Sequence, residues 1–154
     1  MLFKNFLKSL PSFQVFGEKD VDALSKAMYV REYPEGHIFT QQGRRGKELF
    51  LLVEGKVKVF HYDDLTGASE DMKILQPGEI FGLLSLIDNL PAAASCISVE
   101  PVKVASLMRS TYNLLFQSAA PIAFHFQYLL AQQLAKDLHD RNESLRKLLI
   151  EFDS

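Results

Sequence analysis

Apolar residues recur along this chain in three different rhythms. Over residues 1–28, Phe3, Phe6, Leu7 and Leu10 fall at helical spacing, and Pro11 interrupts. After Gly17, Val21, Leu24 and Met28 share one helical face. These spacings predict short helices that either pack on the domain or, for residues 1–10, lie as an amphipathic anchor on a membrane. Over residues 29–110, short β-rich runs are bounded by glycine turns. Tyr29–Tyr33 alternates and stops at Pro34-Glu35-Gly36, and His37-Ile38-Phe39-Thr40 leads into Gly43-Arg44-Arg45-Gly46. Leu49–Val53 is an unbroken apolar run, the mark of a strand buried on both faces. Lys56–Tyr62 alternates again, Met72–Leu75 precedes Pro77-Gly78, and Ile97, Val99, Val102, Val104 and Leu107 close the set. Many short strands between glycine turns predict an antiparallel barrel, sandwich or jelly roll. Phe81–Ile87 has no alternation and ends at Asp88-Asn89 and Pro91, which predicts a short helix inserted between strands.

Over residues 111–154 the rhythm is helical. Leu130, Leu134, Leu138, Leu145, Leu148 and Phe152 step by three, four and seven. A helix over 119–152 is about 50 Å long at about 1.5 Å per residue, more than one small β domain covers. The surplus stripe predicts a partner helix, most simply that of a second copy. The alternative is a broken helix that folds back on its own domain.

Composition narrows the function classes. The chain has 154 residues, which predicts one domain, and a net charge of −2, which gives no basic footprint for nucleic acid. Cys96 is the only cysteine, so no internal disulfide forms; its apolar neighbours predict a buried small hydrophobe. His37, His61, His125 and His139 are isolated, and no metal site is expected. Ser85, Ser95 and Ser98 lack the setting of a nucleophile, and the glycines are too scattered for a dinucleotide or P-loop fingerprint. No apolar run is long enough to span a membrane, and the N-terminus does not read as a signal peptide. A cytoplasmic protein that is not an enzyme is expected.

Five punctuation features then occur in order. They are Tyr33-Pro34-Glu35-Gly36, Gly43, the hairpin Val53-Glu54-Gly55-Lys56-Val57, Pro77-Gly78-Glu79-Ile80-Phe81-Gly82, and Pro91 followed by small residues. Together they resemble the cyclic-nucleotide-binding domain family, over about residues 10–150. The resemblance implies an antiparallel β-roll of jelly-roll type with flanking helices, a short cassette helix and a long C-terminal helix. It places a phosphate-binding cassette at 77–95, with ligand-facing positions at Phe81, Gly82, Leu83, Leu84, Ser85, Pro91, Ala92, Ala93, Ala94 and Ser95.

In that family a glutamate after Phe-Gly accepts from the ribose hydroxyl, and an arginine after the proline pairs with the phosphate. Here those positions hold Leu83 and Ala92, Ser95 retains a hydroxyl, and no lysine or arginine lies between Lys73 and Lys103. Two lost charge-assisted bonds cost about 3–6 kcal/mol, roughly 10²–10⁴ in affinity. The expectation is a non-catalytic signalling or scaffold module with weak or no binding of cyclic AMP or cyclic GMP, no other cofactor, and protein contacts as its output. Its partners would be a homodimer mate and an unidentified signalling protein. The alternative is a nucleotide sensor, for cyclic AMP, cyclic GMP or a cyclic dinucleotide, that takes its phosphate contact from Arg44, Arg45, Lys47 or Lys73. A basic loop folded over the cassette would favour that alternative. Gene regulators of the family append a helix-turn-helix domain where this sequence stops, so direct DNA binding is not expected.

Overall fold

The structure, a computed structural model, describes residues 2–63, 65–82, 91–118 and 120–153. The expected cassette helix lies outside these residues, as do Leu83, Leu84 and Ser85. Helix α1 (Phe3–Ser9), a 3-10 turn (Pro11–Phe13) and α2 (Glu18–Ala27) open the chain. Strands β1 (Tyr29–Tyr33), β2 (Ile38–Thr40), β3 (Glu48–Glu54), β4 (Val57–Tyr62), β5 (Ser69–Leu75), β6 (Ile80–Phe81), β7 (Ser95–Ser98) and β8 (Val102–Met108) follow. Helices α3 (Arg109–Ser118) and α4 (Ala120–Asp153) close it.

The strands form two antiparallel four-stranded sheets, ordered β1-β8-β3-β6 and β2-β7-β4-β5. Successive strands alternate between the sheets except β4 and β5, which pair as a hairpin in the second, and the whole is a jelly-roll sandwich. β3 explains why the layers adhere. Its side chains point alternately to opposite faces, and both faces are covered. Phe50 and Leu52 enter the core between the sheets with Val57, Leu75, Val102 and Val104. Leu49 and Leu51 face the other way, into a second core under the helices with Leu7, Phe13, Leu24 and Leu107. The continuous apolar run is the strand buried on both sides that its sequence predicts. Each fully buried leucine there contributes roughly 1.5–3 kcal/mol.

Helices α1 and α2 pack on this second core. Leu7 is fully buried, and Phe3, Phe6 and Leu10 rest against the same cluster. The apolar side of residues 1–10 therefore belongs to the domain and not to a membrane surface. Lys4 and Lys8 bridge to Glu18, and Lys4 also reaches Asp22, which ties α1 to α2 along their exposed edge. Cys96 is buried between the sheets, and burial pushes its thiol up from its usual range.

Three boundaries differ from the pattern reading. β5 begins at Ser69, because an exposed edge strand carries polar Ser69-Glu70-Asp71 at no cost in burial. The stretch 96–107 is two strands, β7 and β8, in different sheets. The last helical region starts at Arg109 and not at 111, and α4 runs without a break through Arg141-Asn142. Among the described residues no helix is long and apolar enough to cross a membrane.

Candidate functional site

The inner face of the first sheet carries a row of residues across four strands. Tyr29 pairs with Ser106, Ser106 with Phe50, and Phe50 with Phe81. Phe50 and Phe81 stack with ring centres 5.1 Å apart, and Phe39 from the opposite sheet meets both edge-on at 5.3 and 5.4 Å. Tyr33 and His37 extend this aromatic cluster toward the Pro34-Glu35-Gly36 turn. The cassette therefore opens on an apolar aromatic platform built by β2, β3 and β6.

Gly82 ends that platform with φ +80°, and a Cβ there would sit 3.1 Å from the Glu48 carbonyl oxygen and 3.1 Å from the Phe50 ring. Only glycine takes this backbone shape at such close approach. The preceding turn is held equally tightly. The Gly78 N–H donates to the Leu52 carbonyl, and the Leu52 N–H donates to that of Glu79. The Glu79 carboxylate accepts from the Gln76 N–H at 2.7 Å and pairs with Lys73 at 3.6 Å and with Lys136 of α4 at 4.0 Å. Lys73, one candidate for the phosphate contact, already has a carboxylate partner.

The other end of the cassette is held by the segment after β2. The Gly43 N–H donates to the Ala92 carbonyl and the Ala92 N–H donates to the Arg44 carbonyl, both at 2.9 Å. Two residues thus oppose one, with a glycine at φ +82° in the first place, which is the geometry of a glycine bulge. The pairing continues inward. The Thr40 hydroxyl donates to the Ala94 carbonyl at 3.2 Å, and the Gln42 N–H donates to Ser95 Oγ at 2.9 Å. Past the bulge, the Lys47 carbonyl accepts from the Arg109 N–H, and the Gly46 carbonyl accepts from the Arg109 guanidinium. Residues 43–48 form a belt tied to Ala92 at one end and to Arg109 at the first turn of α3 at the other, with the Glu48 carbonyl lying close beside Gly82.

Among the expected ligand-facing residues, Phe81 is buried in the aromatic cluster and Gly82 lies half-buried at its edge. Pro91 and Ala93 are exposed, while Ala92 and Ala94 are half-buried. Ser95 is buried, and its hydroxyl oxygen is engaged by Gln42. Arg44, Arg45 and Lys47 are all exposed on the belt. Glu48 and Ser106 lie on the same sheet face as Phe50. Among the described residues no group of His, Cys, Asp or Glu has the arrangement to hold a metal ion.

Of the stripe expected on the long helix, Leu134 packs against the core under the helices, whereas Leu138 and Leu145 are exposed. Leu130, Leu148 and Phe152 lie outside the described side chains. The expected stripe is therefore corrected at Leu134, whose leucine serves the domain itself. A row at heptad spacing that shares Leu138 and Leu145 with that stripe runs along the largely exposed helix. Phe124, Tyr128, Ala131, Ala135, Leu138, Asn142, Leu145 and Leu149 are all exposed. They alternate by four and three, the heptad spacing of a two-helix interface.

Comparison with known proteins accords with this architecture. The family model described as "Cyclic nucleotide-binding domain" matches residues 30–119. A cyclic AMP receptor protein of Thermus thermophilus is 33% identical over 83% of the chain and 59% of its own length. A cAMP-dependent protein kinase regulatory subunit of Pyricularia oryzae is 28% identical over 82% of the chain, which spans only 32% of that relative. A cyclic nucleotide-binding domain structure from Methylobacillus flagellatus shares the fold with a TM-score of 0.81 at 24% identity, over 93% of this chain and 80% of its own. The chain belongs to the cyclic nucleotide-binding domain family.

Proposed function

We propose that the chain is a non-catalytic sensory module that binds a cyclic-nucleotide-type ligand at the 77–95 cassette and answers through its long C-terminal helix. One observation carries this reading. The belt residues Gly43 and Arg44 are hydrogen-bonded to Ala92, the position where the family resemblance expects the phosphate-binding arginine. Residues opposed across an antiparallel pair have neighbouring Cβ atoms, roughly 4.5–5.5 Å apart. A guanidinium lost at position 92 is thus available from the facing residue, and an exposed Arg44 side chain has the length and planarity to pair with a phosphate. A restored charge-assisted bond contributes about 1.5–3 kcal/mol, enough to offset much of one missing contact.

The relatives named above, a cyclic AMP receptor and a regulatory subunit of a cAMP-dependent kinase, agree with a sensory role. The output we infer is a homodimer through the exposed heptad seam of α4. Leucine at Leu138 and Leu145 falls at d positions and Asn142 at an a position, the pattern that favours two parallel strands in register. The ion pair between Lys136 and Glu79 connects the same helix to the cassette turn. A ligand with different affinity for two arrangements of that connection shifts the helix pair.

A second reading keeps the pocket weak or empty and leaves the module as a scaffold. Leu83 and the absence of lysine or arginine between Lys73 and Lys103 favour it. Calorimetric titration with cyclic AMP, cyclic GMP and cyclic di-GMP separates the two. Micromolar binding by the unmodified chain that falls at least tenfold in Arg44→Gln supports the sensor. Silence of the unmodified chain, with binding gained in Leu83→Glu/Ala92→Arg, supports the scaffold.

A further inference from the structure

Charge is segregated on two neighbouring segments of the chain. No Asp or Glu occurs between Glu35 and Glu48, a stretch that carries Arg44, Arg45 and Lys47. No Lys or Arg occurs between Lys58 and Lys73, a stretch that carries Asp63, Asp64, Glu70 and Asp71. The first stretch contains the belt, and the second contains the hairpin of β4 and β5. Gln42 clamps the start of the belt to Tyr62, the neighbour of Asp63. Arg45 follows three residues later, at most about 11 Å of chain away. Arg45, Lys47, Asp63 and Glu70 are all exposed, and none of them makes an ion pair among the described residues. Opposite charges therefore lie side by side on one surface without neutralising each other.

The tip of the hairpin is held in shape. The Asp63 N–H donates to the Ala68 carbonyl at 2.9 Å, and the Gly67 N–H donates to the Asp63 carbonyl at 2.7 Å. Asp63 Oδ1 accepts from the Leu65 N–H at 2.8 Å, and the Leu65 side chain stands in solvent at 95% exposure. The same loop borders a recess of about 600 Å³ whose lining includes His61, Asp63, Leu65 and Glu70. His61 and Glu70 are opposed across the strand pair. A concave acidic surface with an apolar rim fits a cation on a long apolar stem, and arginine has that form. Adjoining patches of opposite sign are self-complementary about a two-fold axis between them. We propose that the hairpin and the belt form an interface between two copies of this chain, Arg45 of each copy entering the other's recess between Asp63 and Glu70. Lys47 adds to the same attraction, and Leu65 covers the apolar stem of the incoming arginine. The contact is small and electrostatic, so it is weak and sensitive to salt. It is separate from the seam of α4 and does not depend on a ligand in the cassette.

The test uses the full chain carrying Leu138→Glu/Leu145→Glu, so that the α4 seam makes no contribution, and follows mass by sedimentation velocity. This chain should be a monomer when dilute. At high protein concentration it should dimerise in about 20 mM salt, and that association should weaken at least about tenfold in about 0.5 M salt, where charge is screened. Two charge reversals are then added separately, Asp63→Lys/Glu70→Lys and Arg45→Glu/Lys47→Glu. Each reversed chain should be a monomer under all these conditions, because its hairpin and belt carry the same sign. Mixed in equal amounts, the two should pair with each other, since a basic hairpin meets an acidic belt and an acidic hairpin meets a basic belt. Pairing in the mixture also shows that both reversed chains are folded. A monomer in low salt at high concentration, a dimer indifferent to salt, or a dimer that survives either reversal overturns the interface. So do reversed chains that stay monomeric when mixed while their circular dichroism matches that of the parent.

Discussion

The side-chain amide of Gln42 and the backbone of Tyr62 hold each other through two hydrogen bonds, each of 2.9 Å. Gln42 Nε2 donates to the Tyr62 carbonyl, and the Tyr62 N–H donates to Gln42 Oε1. The same residue gives its own N–H to Ser95. Gln42 thus clamps the start of the belt to the end of β4 and to the cassette's returning strand. Gln42→Ala removes both side-chain bonds and leaves two backbone groups of Tyr62 to water. We expect a loss of about 1–2 kcal/mol in urea unfolding and faster amide exchange at Gly43 and Arg44. Unchanged exchange there would show that the bulge with Ala92 holds the belt without the clamp.

β3 has no spare face. Leu51→Ala empties a site with 1% exposure under the helices, and we expect a loss of about 2–5 kcal/mol. An alanine at exposed Leu145 should cost the protomer less than about 0.5 kcal/mol. The two variants, unfolded by urea at low protein concentration, test whether stability sits in the sandwich or in the long helix.

The pH response of stability carries the signature of Glu48. Burial raises its folded carboxyl above the unfolded value. The folded state therefore holds that proton more tightly, and stability falls as pH rises from the unfolded range through the folded one. Glu18 and Asp22 act in the opposite sense. Hydrogen bonds from Lys8 to Glu18, and from Lys26 and Lys4 to Asp22, hold these carboxyls low. Their contribution is present above the unfolded range and is lost as pH falls through the folded values. These two are common to parent and variant, so the difference isolates Glu48. Glu48→Gln should melt higher than the parent at neutral pH, and the gap should close below the ordinary carboxylate range, about pH 4. A gap that persists in acid would trace the gain to packing and not to charge.

The seam on α4 predicts an oligomeric state. Leu138→Glu/Leu145→Glu places charge at two d positions and should give monomers by light scattering, with helical circular dichroism of the sandwich-packed part retained. Asn142→Leu should keep association but relax its register, seen as species larger than dimers. A parent that is already monomeric at high concentration would remove the seam's role.

The sandwich was legible because its signals are local. Alternation in Lys56–Tyr62, the unbroken run Leu49–Val53 and the glycine turns each report a strand from a few neighbouring residues. The site was only half legible, for two reasons. Ala92 and Arg44 are far apart in sequence, and their opposition arises when β2 pairs with β7, so it left no local trace. On α4, reading leucines alone put Leu134 on the partner face. The open face is marked as much by Ala131, Ala135 and Asn142, which a search for large apolar residues passes over.

The belt has a consequence for the thermodynamics of ligand arrival. Its residues are fixed by backbone bonds at Gly43, Arg44, Gly46 and Lys47 before any ligand enters. The loss of conformational entropy that ordering a loop entails, about 1–2 kcal/mol per residue for the backbone alone, falls on folding and not on binding. A ligand meeting this edge encounters a preorganised surface. On the sensor reading proposed above, recognition there should be fast and nearly rigid, with Arg109 as the route to α3.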